Sequence, residues 1–356
     1  MSLLKEAADQ IFHSIDRYRE AGIAQDRDEC SGCFQIADTK IRLVYDRKIL
    51  KEYFFWQMKL FGLPDDTECE KTVYIWSDHS MDPLYDAMEQ EGAGKALGLT
   101  ACEEDPVRLF LKNNAHVGKI TFAWKESAKE GWVIIHPDSL ERFMAISHML
   151  TPLFSRMFEG EGVVLLHSAA IAYKGKAVLL TGLSGSGKST LAAACLHNGT
   201  DYISDDTVLF RVSDNMVFPL CTTLHLAPDA LAVFPDFAEK IRSGEITTSQ
   251  GRGEKRHLDI SCYKDRVILQ AEADLVICPV IHEDDPPEIR AVNKNSAITA
   301  LLVSSAALLG ERRNPSYLSS VAKKMRQLDF MEYSLSGNVL WNAEFLKQFL
   351  AERYGI

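Results

Sequence analysis

The sequence predicts an α/β protein of two domains, with an α+β domain over residues 1–160 and an α/β domain over residues 161–356, whose mixed sheet carries flanking helices. Two observations support this division into two domains. The length of 356 residues exceeds one domain of about 150 residues. The segment 159–162, Glu-Gly-Glu-Gly, also separates a predicted helix from a run of apolar strand residues. A glycine-rich motif at 182–190, between a predicted strand and a predicted helix, indicates the α/β class of the second domain.

The composition is that of an ordinary globular protein, with 46% hydrophobic and 25% charged residues. The net charge of −11 argues against a nucleic acid or an anionic membrane as the partner. No segment approaches the roughly 20 apolar residues of a membrane span, and the first residues lack a signal-peptide pattern. We therefore expect a cytoplasmic protein.

The N-terminal domain opens with an amphipathic helix over residues 3–18, whose apolar positions recur at helical spacing. Residues 92–105 are rich in glycine, alanine and acids and predict a loop. A helix over 138–158, kinked or broken at Pro152, ends the domain. The other predicted elements are strands over 34–36, 41–45, 72–76, 119–124 and 132–135, and a helix over 48–60.

The eight cysteines are scattered and predict reduced thiols rather than a disulfide framework. Cys30 and Cys33 have the spacing of half a zinc site. No second pair of ligands completes that site in the sequence, so two thiols at a turn is the favoured interpretation.

The most informative segment is Gly-Leu-Ser-Gly-Ser-Gly-Lys-Ser-Thr at 182–190, which contains the phosphate-loop pattern G-x-x-x-x-G-K-[ST]. An apolar strand over 176–181 precedes it, and a helix former over 191–196 follows and stops at Asn198-Gly199. Backbone N–H groups and a helix N-terminus would then surround one point, as a polyphosphate requires. A chance glycine/serine turn is the alternative.

These residues predict binding of ATP or another nucleoside triphosphate together with Mg²⁺. Lys188 would reach the β- and γ-phosphates, and the Ser189 hydroxyl would complete the Mg²⁺ shell. The predicted nucleotide-binding residues are Gly182, Ser184, Gly185, Ser186, Gly187, Lys188, Ser189 and Thr190.

Residues 163–173 predict a strand that enters the phosphate-loop strand through a tight turn at Lys174-Gly175. Such a hairpin differs from the crossover connection of parallel sheets. Further along, Asp205 and Asp206 stand at the end of a short strand. If that strand lies beside the phosphate-loop strand, one carboxylate could hold the metal while the other accepts a proton from an attacking hydroxyl. A solvated Asp-Asp turn is the alternative.

Three segments in this order, 166–168 with His167, the phosphate loop, and Ser-Asp-Asp-Thr-Val at 204–208, resemble the bacterial HPr kinase/phosphorylase superfamily, which is related to phosphoenolpyruvate carboxykinase. The resemblance covers about residues 160–280 and implies that kinase fold for the second domain. It also implies that His167, Lys188, Asp205 and Asp206 are catalytic and that homo-oligomers form. We assign Asp205 with Ser189 to the metal, while the division of roles between the two aspartates stays open because adjacent carboxylates titrate together.

Two departures from the family's pattern indicate a divergent member. Thr190 follows Ser189 where the family has Glu, and the family's Glu-x-Arg-Gly signature is missing, with 251–256 in a comparable region. We expect the acceptor to be a hydroxyl on a protein, peptide or small molecule other than HPr itself. A histidine at a strand end with only a backbone partner is the alternative interpretation of His167.

The later segments predict supporting elements. Residues 224–231 predict a strand running into a helix, with Asp229 near the cap, and Arg252, Lys255 and Arg256 form a basic loop that could close on phosphates. Arg312 and Arg313 could sense phosphate charge or lie exposed at a helix end. The remaining predicted elements are strands over 275–280 and 331–335 and helices over 297–309, 316–328 and 343–354.

The leading functional prediction is a Mg²⁺-dependent kinase that moves the γ-phosphoryl group of ATP, or of another nucleotide, to a hydroxyl. A nucleotide-hydrolysing switch without a phosphorylated product and a catalytically degenerate relative are the alternatives. A transport ATPase is disfavoured because Asp274 precedes its apolar run instead of ending it.

Overall fold

The computed structural model describes residues 3–21, 31–94, 96–102, 104–115, 117–144, 150–250, 255–306 and 315–355. The chain forms two compact units, Met1–Met157 and Phe158–Ile356. The predicted domain boundary, between 160 and 161, lies close to this division. Each unit contains a sheet with both parallel and antiparallel strand pairs together with helices, so the protein is of mixed α/β class.

The first unit contains five helices and eight strands within the described ranges. The helices are α1 (Leu3–Ala21), α2 (Lys48–Met58), α3 (Asp82–Gln90), α4 (Leu140–Met144) and α5 (Thr151–Met157), with 3₁₀ turns at Lys59–Phe61 and Pro137–Ser139. The strands are β1 (Ser31–Ile36), β2 (Thr39–Tyr45), β3 (Gly62–Leu63), β4 (Lys71–Ser77), β5 (Ala96–Ala101), β6 (Val107–Asn114), β7 (Gly118–Lys125) and β8 (Glu130–Ile135).

The eight strands form one sheet in the order β3-β1-β2-β4-β8-β7-β6-β5. Strand β4 lies parallel to β2 and β8, and the other neighbours are antiparallel. The apolar stripe of α1 packs against this unit's core through Leu4, Ala8 and Phe12, as its spacing predicts. The core therefore lies between the sheet and the amphipathic faces of its helices.

Two predictions for the first unit need correction. Residues 96–101, predicted to be loop, form β5, because Leu97 and Leu99 alternate along a strand that pairs with β6 and pack against the core. The helix predicted over 138–158 is instead α4 and α5, separated at 145–149, which fall outside the described residues. Pro152 lies in the first turn of α5, where a missing N–H costs little.

The second unit contains six helices and twelve strands within its described part. The helices are α6 (Lys188–His197), α7 (Pro228–Ala232), α8 (Pro235–Ser243), α9 (Lys294–Ser304), α10 (Pro315–Met325) and α11 (Val339–Arg353), with 3₁₀ turns at Glu159–Glu161 and Ser261–Arg266. The strands are β9 (Val163–Leu166), β10 (Ser168–Tyr173), β11 (Lys176–Thr181), β12 (Asp201–Ser204), β13 (Val208–Arg211), β14 (Met216–Pro219), β15 (Thr223–Leu226), β16 (Thr248–Gln250), β17 (Arg256–Asp259), β18 (Ala271–Ile281), β19 (Glu288–Ala291) and β20 (Asp329–Leu335).

The main sheet runs β12-β10-β11-β18-β14-β13-β9, and β20 pairs with both β18 and β19. Strands β11, β18 and β20 are mutually parallel neighbours in that order. The hairpin of β10 and β11 turns at Lys174 and Gly175, both with positive φ (50° and 80°), which confirms the predicted tight turn. A separate three-stranded sheet has the order β15-β17-β16.

The single strand predicted over 163–173 is wrong. The run is divided at His167 into β9, which pairs with β13, and β10, which pairs with β11 and β12. At the division the backbone N–H of His167 donates to the Ser305 hydroxyl at 2.9 Å instead of to a neighbouring strand. Both strands are buried, so the sequence stays apolar on either side of His167. For this reason the sequence gives no sign of the change of strand partners.

Some predicted features fall outside the described residues, namely Cys30, Arg252, Arg312 and Arg313. No disulfide links the seven cysteines in the described ranges. Among the described helices, none combines the length and apolar character needed to cross a membrane.

Candidate functional site

The glycine-rich segment forms a loop between β11 and α6, as predicted. Gly185 and Gly187 adopt left-handed backbone conformations, with φ of 85° and 93°, and Gly187 is the N-cap of α6. Glycine reaches this region without steric cost, and the resulting turn can aim successive N–H groups at an anion. Within the described part of the chain, the Ser186 hydroxyl oxygen is buried without a hydrogen-bond partner, which leaves a donor and acceptor for a ligand.

Lys188 begins α6, and its side chain folds back over the loop. Its Nζ donates to the carbonyl oxygens of Gly182 at 2.8 Å and Leu183 at 3.0 Å. Burial lowers the pKa of Lys188, the carboxylates of Asp205 and Asp206 oppose that shift, and the ammonium of Lys255 adds to it.

Asp205 is fully buried and accepts several hydrogen bonds. Its Oδ1 accepts from the Ser189 hydroxyl at 2.8 Å and from the Asp206 N–H at 2.9 Å, and its Oδ2 accepts from the His225 N–H at 3.0 Å. Burial by itself raises the pKa of this carboxyl, but the hydrogen bonds and charge of His225 and the hydrogen bond from Ser189 outweigh burial and lower the pKa to about 2. The carboxylate is therefore ionised at neutral pH.

Asp206 has a different environment, although it is the next residue. Its φ is 67°, and the N–H of Thr207 donates to the Asp205 carbonyl at 2.8 Å, so Asp206 is the centre of the rarer, strained form of γ-turn. The turn leaves the Asp206 side chain 43% exposed, with Oδ1 3.5 Å from Nδ1 of His167. Two adjacent acids are thus separated into one buried carboxylate and one open to an incoming molecule.

The strand that leads to the two acids does not lie beside β11, yet Asp205 still contacts the loop's helix. Strand β12, which leads to Asp205, pairs with β10, and β10 lies between β12 and β11. The side chain of Ser189, at the start of α6, reaches Asp205 from the loop. The side chain of Ser189, at the N-terminus of α6, therefore contacts Asp205 although β10 lies between β12 and β11.

His225, in β15, is a site residue that the sequence interpretation missed. Its Nδ1 lies 3.3 Å from Asp205 Oδ2, and its Nε2 lies 3.1 Å from the Thr223 hydroxyl. A proton on Nδ1 satisfies the contact with Asp205, and the Thr223 hydroxyl can serve Nε2 as donor or acceptor. The available signal was a histidine between Leu224 and Leu226 in a buried strand, since a buried imidazole requires polar partners.

A cavity of about 280 Å³ adjoins the start of α6. Its walls combine apolar side chains with a few polar groups, as small-molecule sites commonly do. Thr190 lines it, together with Gly187, Leu191, Asp229, Ala230, Val233, Ile281, Glu283, Leu335, Ser336, Gly337, Val339 and Asn342.

The donor set at the loop fits a magnesium ion. Mg²⁺ prefers hard oxygen ligands and uses one or two carboxylates. The Ser189 hydroxyl, in the first turn of α6, lies 2.8 Å from the ionised carboxylate of Asp205. The structure thus brings together Lys188, Ser189, Asp205, Asp206 and His167, whose chemical roles remain predictions.

Replacing His225 by Leu is expected to destabilise the second unit by about 1.5–3 kcal/mol, because a buried charged acceptor loses a side-chain partner. Urea unfolding at pH 7 measures the change. In a double-mutant cycle with Asp205→Asn, the two effects should not add. Additive effects would show that the imidazole and the carboxylate do not interact.

The depressed pKa of Asp205 also sets the direction of an acid effect. A carboxyl with a folded-state pKa of about 2, below its ordinary 3.8, contributes stability that is present above about pH 4 and is lost as the pH falls towards 2. The stability difference between wild type and Asp205→Asn should shrink over that range. A difference that stays constant with pH would contradict the assignment.

Gly187→Ala is expected to destabilise the second unit by about 1–3 kcal/mol, because it forces an L-residue into left-handed space. A Cβ there would also lie 2.8 Å from Leu335 Cδ1. Gly185→Ala is the matched control, since Gly185 has a similar φ but no atom within 4 Å of an added Cβ. Thermal unfolding should show the larger loss for Gly187→Ala; equal losses would assign the whole effect to backbone strain.

Comparisons with known proteins add little. No protein-family model matches the chain, and no curated protein matches it. Among solved structures, the Hpr(Ser) kinase/phosphatase from Coxiella burnetii is weakly similar, with 14% sequence identity over 54% of this chain and 99% of that one and a TM-score of 0.27. A TM-score this low supports no statement about activity.

Proposed function

We propose that the second unit is a Mg²⁺-dependent kinase that transfers the γ-phosphoryl group of ATP, or of another nucleoside triphosphate, to a hydroxyl of a protein, peptide or small molecule. One observation carries the proposal. The phosphate-loop residue Ser189 hydrogen-bonds directly to the buried, ionised Asp205, and the exposed Asp206 follows it. The proposed phosphate-binding loop, the proposed metal ligand Asp205 and the proposed base Asp206 are therefore neighbours in the structure.

The loop and its lysine would hold the nucleotide. The loop's N–H groups and the N-terminus of α6 attract phosphate, and Lys188 would exchange the carbonyls of Gly182 and Leu183 for phosphate oxygens. Lys255, whose charge already acts on Lys188, would add a second cation. The cavity lined by Thr190, Leu191 and Val233 offers an apolar surface of suitable size for the nucleoside.

Ser189 and Asp205 would hold the metal ion. When bound, Mg²⁺ would supply positive charge that offsets the negative charge of the phosphate groups. His225 holds the Asp205 carboxylate in place from behind, through its N–H and its ring, so that the carboxylate stays ionised and correctly oriented without solvent. Positioning of this kind is the main contribution a protein makes to phosphoryl transfer.

Asp206 would accept the proton of the attacking hydroxyl. It is the more exposed of the two acids, so an acceptor can approach it, while Asp205 is fully buried. His167, 3.5 Å from Asp206, would orient that carboxylate and help to disperse the proton's charge. The strained turn at Asp206 leaves its side chain 43% exposed.

The direct test incubates the purified chain with γ-labelled ATP, Mg²⁺ and a panel of serine, threonine and tyrosine peptides, sugars and nucleosides. The expected result is label in one acceptor class and nucleotide consumption that rises with that acceptor. Nucleotide turnover at the same rate with and without every acceptor would support the hydrolysing switch instead. Tight nucleotide binding with neither turnover nor transfer would indicate the degenerate relative.

A further inference from the structure

His79, Asp82 and His136 form a second cluster of chemically active side chains, in the first unit. Their nearest ligand atoms all lie within 4.8 Å of one another. His79 Nδ1 is 3.0 Å from Asp82 Oδ2, and His136 Nε2 is 3.5 Å from Asp82 Oδ1. We propose that these three side chains bind one divalent transition-metal ion of the Zn²⁺ type, independently of the proposed kinase site.

The backbone holds the three residues in place. His79 and Asp82 flank the turn that starts α3, where the Asp82 N–H donates to the His79 carbonyl at 3.1 Å. His136 directly follows β8, and its N–H donates to the Lys119 carbonyl at 3.0 Å. The two imidazole rings meet edge to face, with centroids 4.8 Å apart. Ordered strand and helix ends give more precise ligand geometry than loops do.

The donor set and spacing match a metal better than a simple ion pair. Two imidazoles and one carboxylate form a common zinc ligand set, and bonds of about 2.1 Å place tetrahedral ligand atoms about 3.4 Å apart. The two contacts of Asp82, at 3.0 and 3.5 Å through its two different oxygens, lie close to that separation, while the three ligand atoms as a set lie within 4.8 Å of one another. Both histidines share this one carboxylate, so an ion between the three would satisfy them together.

The carboxylate supplies a second, independent observation. Within the described part of the chain, Asp82 Oδ1 is buried and accepts no hydrogen bond. Its ion-pair contact is His136 Nε2 at 3.5 Å, and a cation bound between the two atoms would complete the coordination of this oxygen. The N-terminus of α3 disfavours a cation, and the negative charge of Asp82, the first residue of that helix, offsets this. His79, with its side chain 66% exposed, leaves a fourth position open to water.

Metal binding at His136 requires the ring proton on Nδ1. In the metal-free arrangement that atom accepts from the Asp138 N–H at 3.2 Å. Binding through Nε2 exchanges this bond for donation from Nδ1 to the Asp138 carboxylate, whose Oδ2 lies 3.8 Å away. A carboxylate behind a ligating histidine is a usual outer partner of zinc ligands.

The test titrates the full, metal-free chain with Zn²⁺ by calorimetry and with Co²⁺ by visible absorption, in the presence of excess Mg²⁺. We expect one site per chain and a Co²⁺ spectrum of tetrahedral intensity. His136→Asn and Asp82→Asn should each weaken binding by more than about 100-fold, beyond the loss typical of outer partners. His197→Asn is the matched control, because His197 lies 3.7 Å from Asp236 in a histidine–carboxylate pair outside this cluster.

X-ray absorption of the zinc-loaded wild-type chain tests the ligands without any variant. The proposal expects a shell of nitrogen and oxygen with two imidazoles. Sulfur in that shell would place the zinc on cysteine and overturn the proposal, as would unchanged affinity in His136→Asn or equal loss in His197→Asn. Absence of Zn²⁺ binding to the wild-type chain would overturn it as well, while leaving the kinase proposal untouched.

Discussion

Replacing Asp206 by Asn is expected to slow phosphoryl transfer by about 10²- to 10⁴-fold, the usual contribution of a positioned general base. Nucleotide affinity should stay nearly unchanged, because Asp206 is the exposed acid and Asp205 holds the contact to Ser189. Asn is the right replacement, since it tolerates the left-handed φ of 67° better than most residues and keeps the turn. Single-turnover transfer to the acceptor, measured beside nucleotide titration, separates the two effects.

Asp214→Asn is the matched control, because Asp214 is a half-exposed carboxylate in the same unit whose partner is Arg211. It should transfer at the wild-type rate. His167→Asn should reduce transfer less than Asp206→Asn does, since His167 acts through Asp206. Wild-type transfer by Asp206→Asn would remove this residue from the chemistry and would favour Asp205 or an acceptor-borne base.

Replacing Lys188 by Ala is expected to weaken nucleotide binding at least about 100-fold, because charge-assisted hydrogen bonds contribute roughly 1.5–3 kcal/mol each and Nζ can make two. Turnover should fall with it. Calorimetric titration with ATP and Mg²⁺ measures the loss. Thermal unfolding without nucleotide is needed beside it, since Ala leaves the carbonyls of Gly182 and Leu183 without this donor.

Lys176→Ala provides the control for charge alone. Lys176 lies at the start of β11 in the same unit, is exposed, and pairs with Glu272. Its removal should leave nucleotide affinity at the wild-type level. Equal weakening by both variants would indicate a general field effect, and an unchanged affinity in Lys188→Ala would contradict the nucleotide site itself.

Much of the second unit's local structure was predictable from the sequence. The glycines of 182–187 specify the loop because only glycine enters the left-handed region cheaply, and Gly185 and Gly187 occupy it. The turn at Lys174-Gly175 and the helix stop at Gly199, with φ of 88°, follow from the same property. Helices α9, α10 and α11 overlap the predicted helices over 297–309, 316–328 and 343–354, and each begins one to four residues earlier than predicted.

The wrong strand predictions have one physical cause: a strand's partners can be far away in the sequence. The apolar run 163–173 is continuous, yet its halves pair with different strands, and the small residues of 96–101 form a strand only because β6 pairs with them. Such pairings depend on distant segments and leave a weak local signal. His225 was missed for the same reason, since its partner Asp205 comes from another part of the chain.

By itself, the sequence determined the phosphate loop, its lysine and serine, and the presence of two adjacent acids, because loop conformation and side-chain chemistry are local properties. Only the tertiary structure separated those acids. It buried Asp205 against Ser189 and His225 and left Asp206 exposed beside His167. Burial and hydrogen bonding decide what a carboxylate can do, and both depend on residues that are distant in the chain.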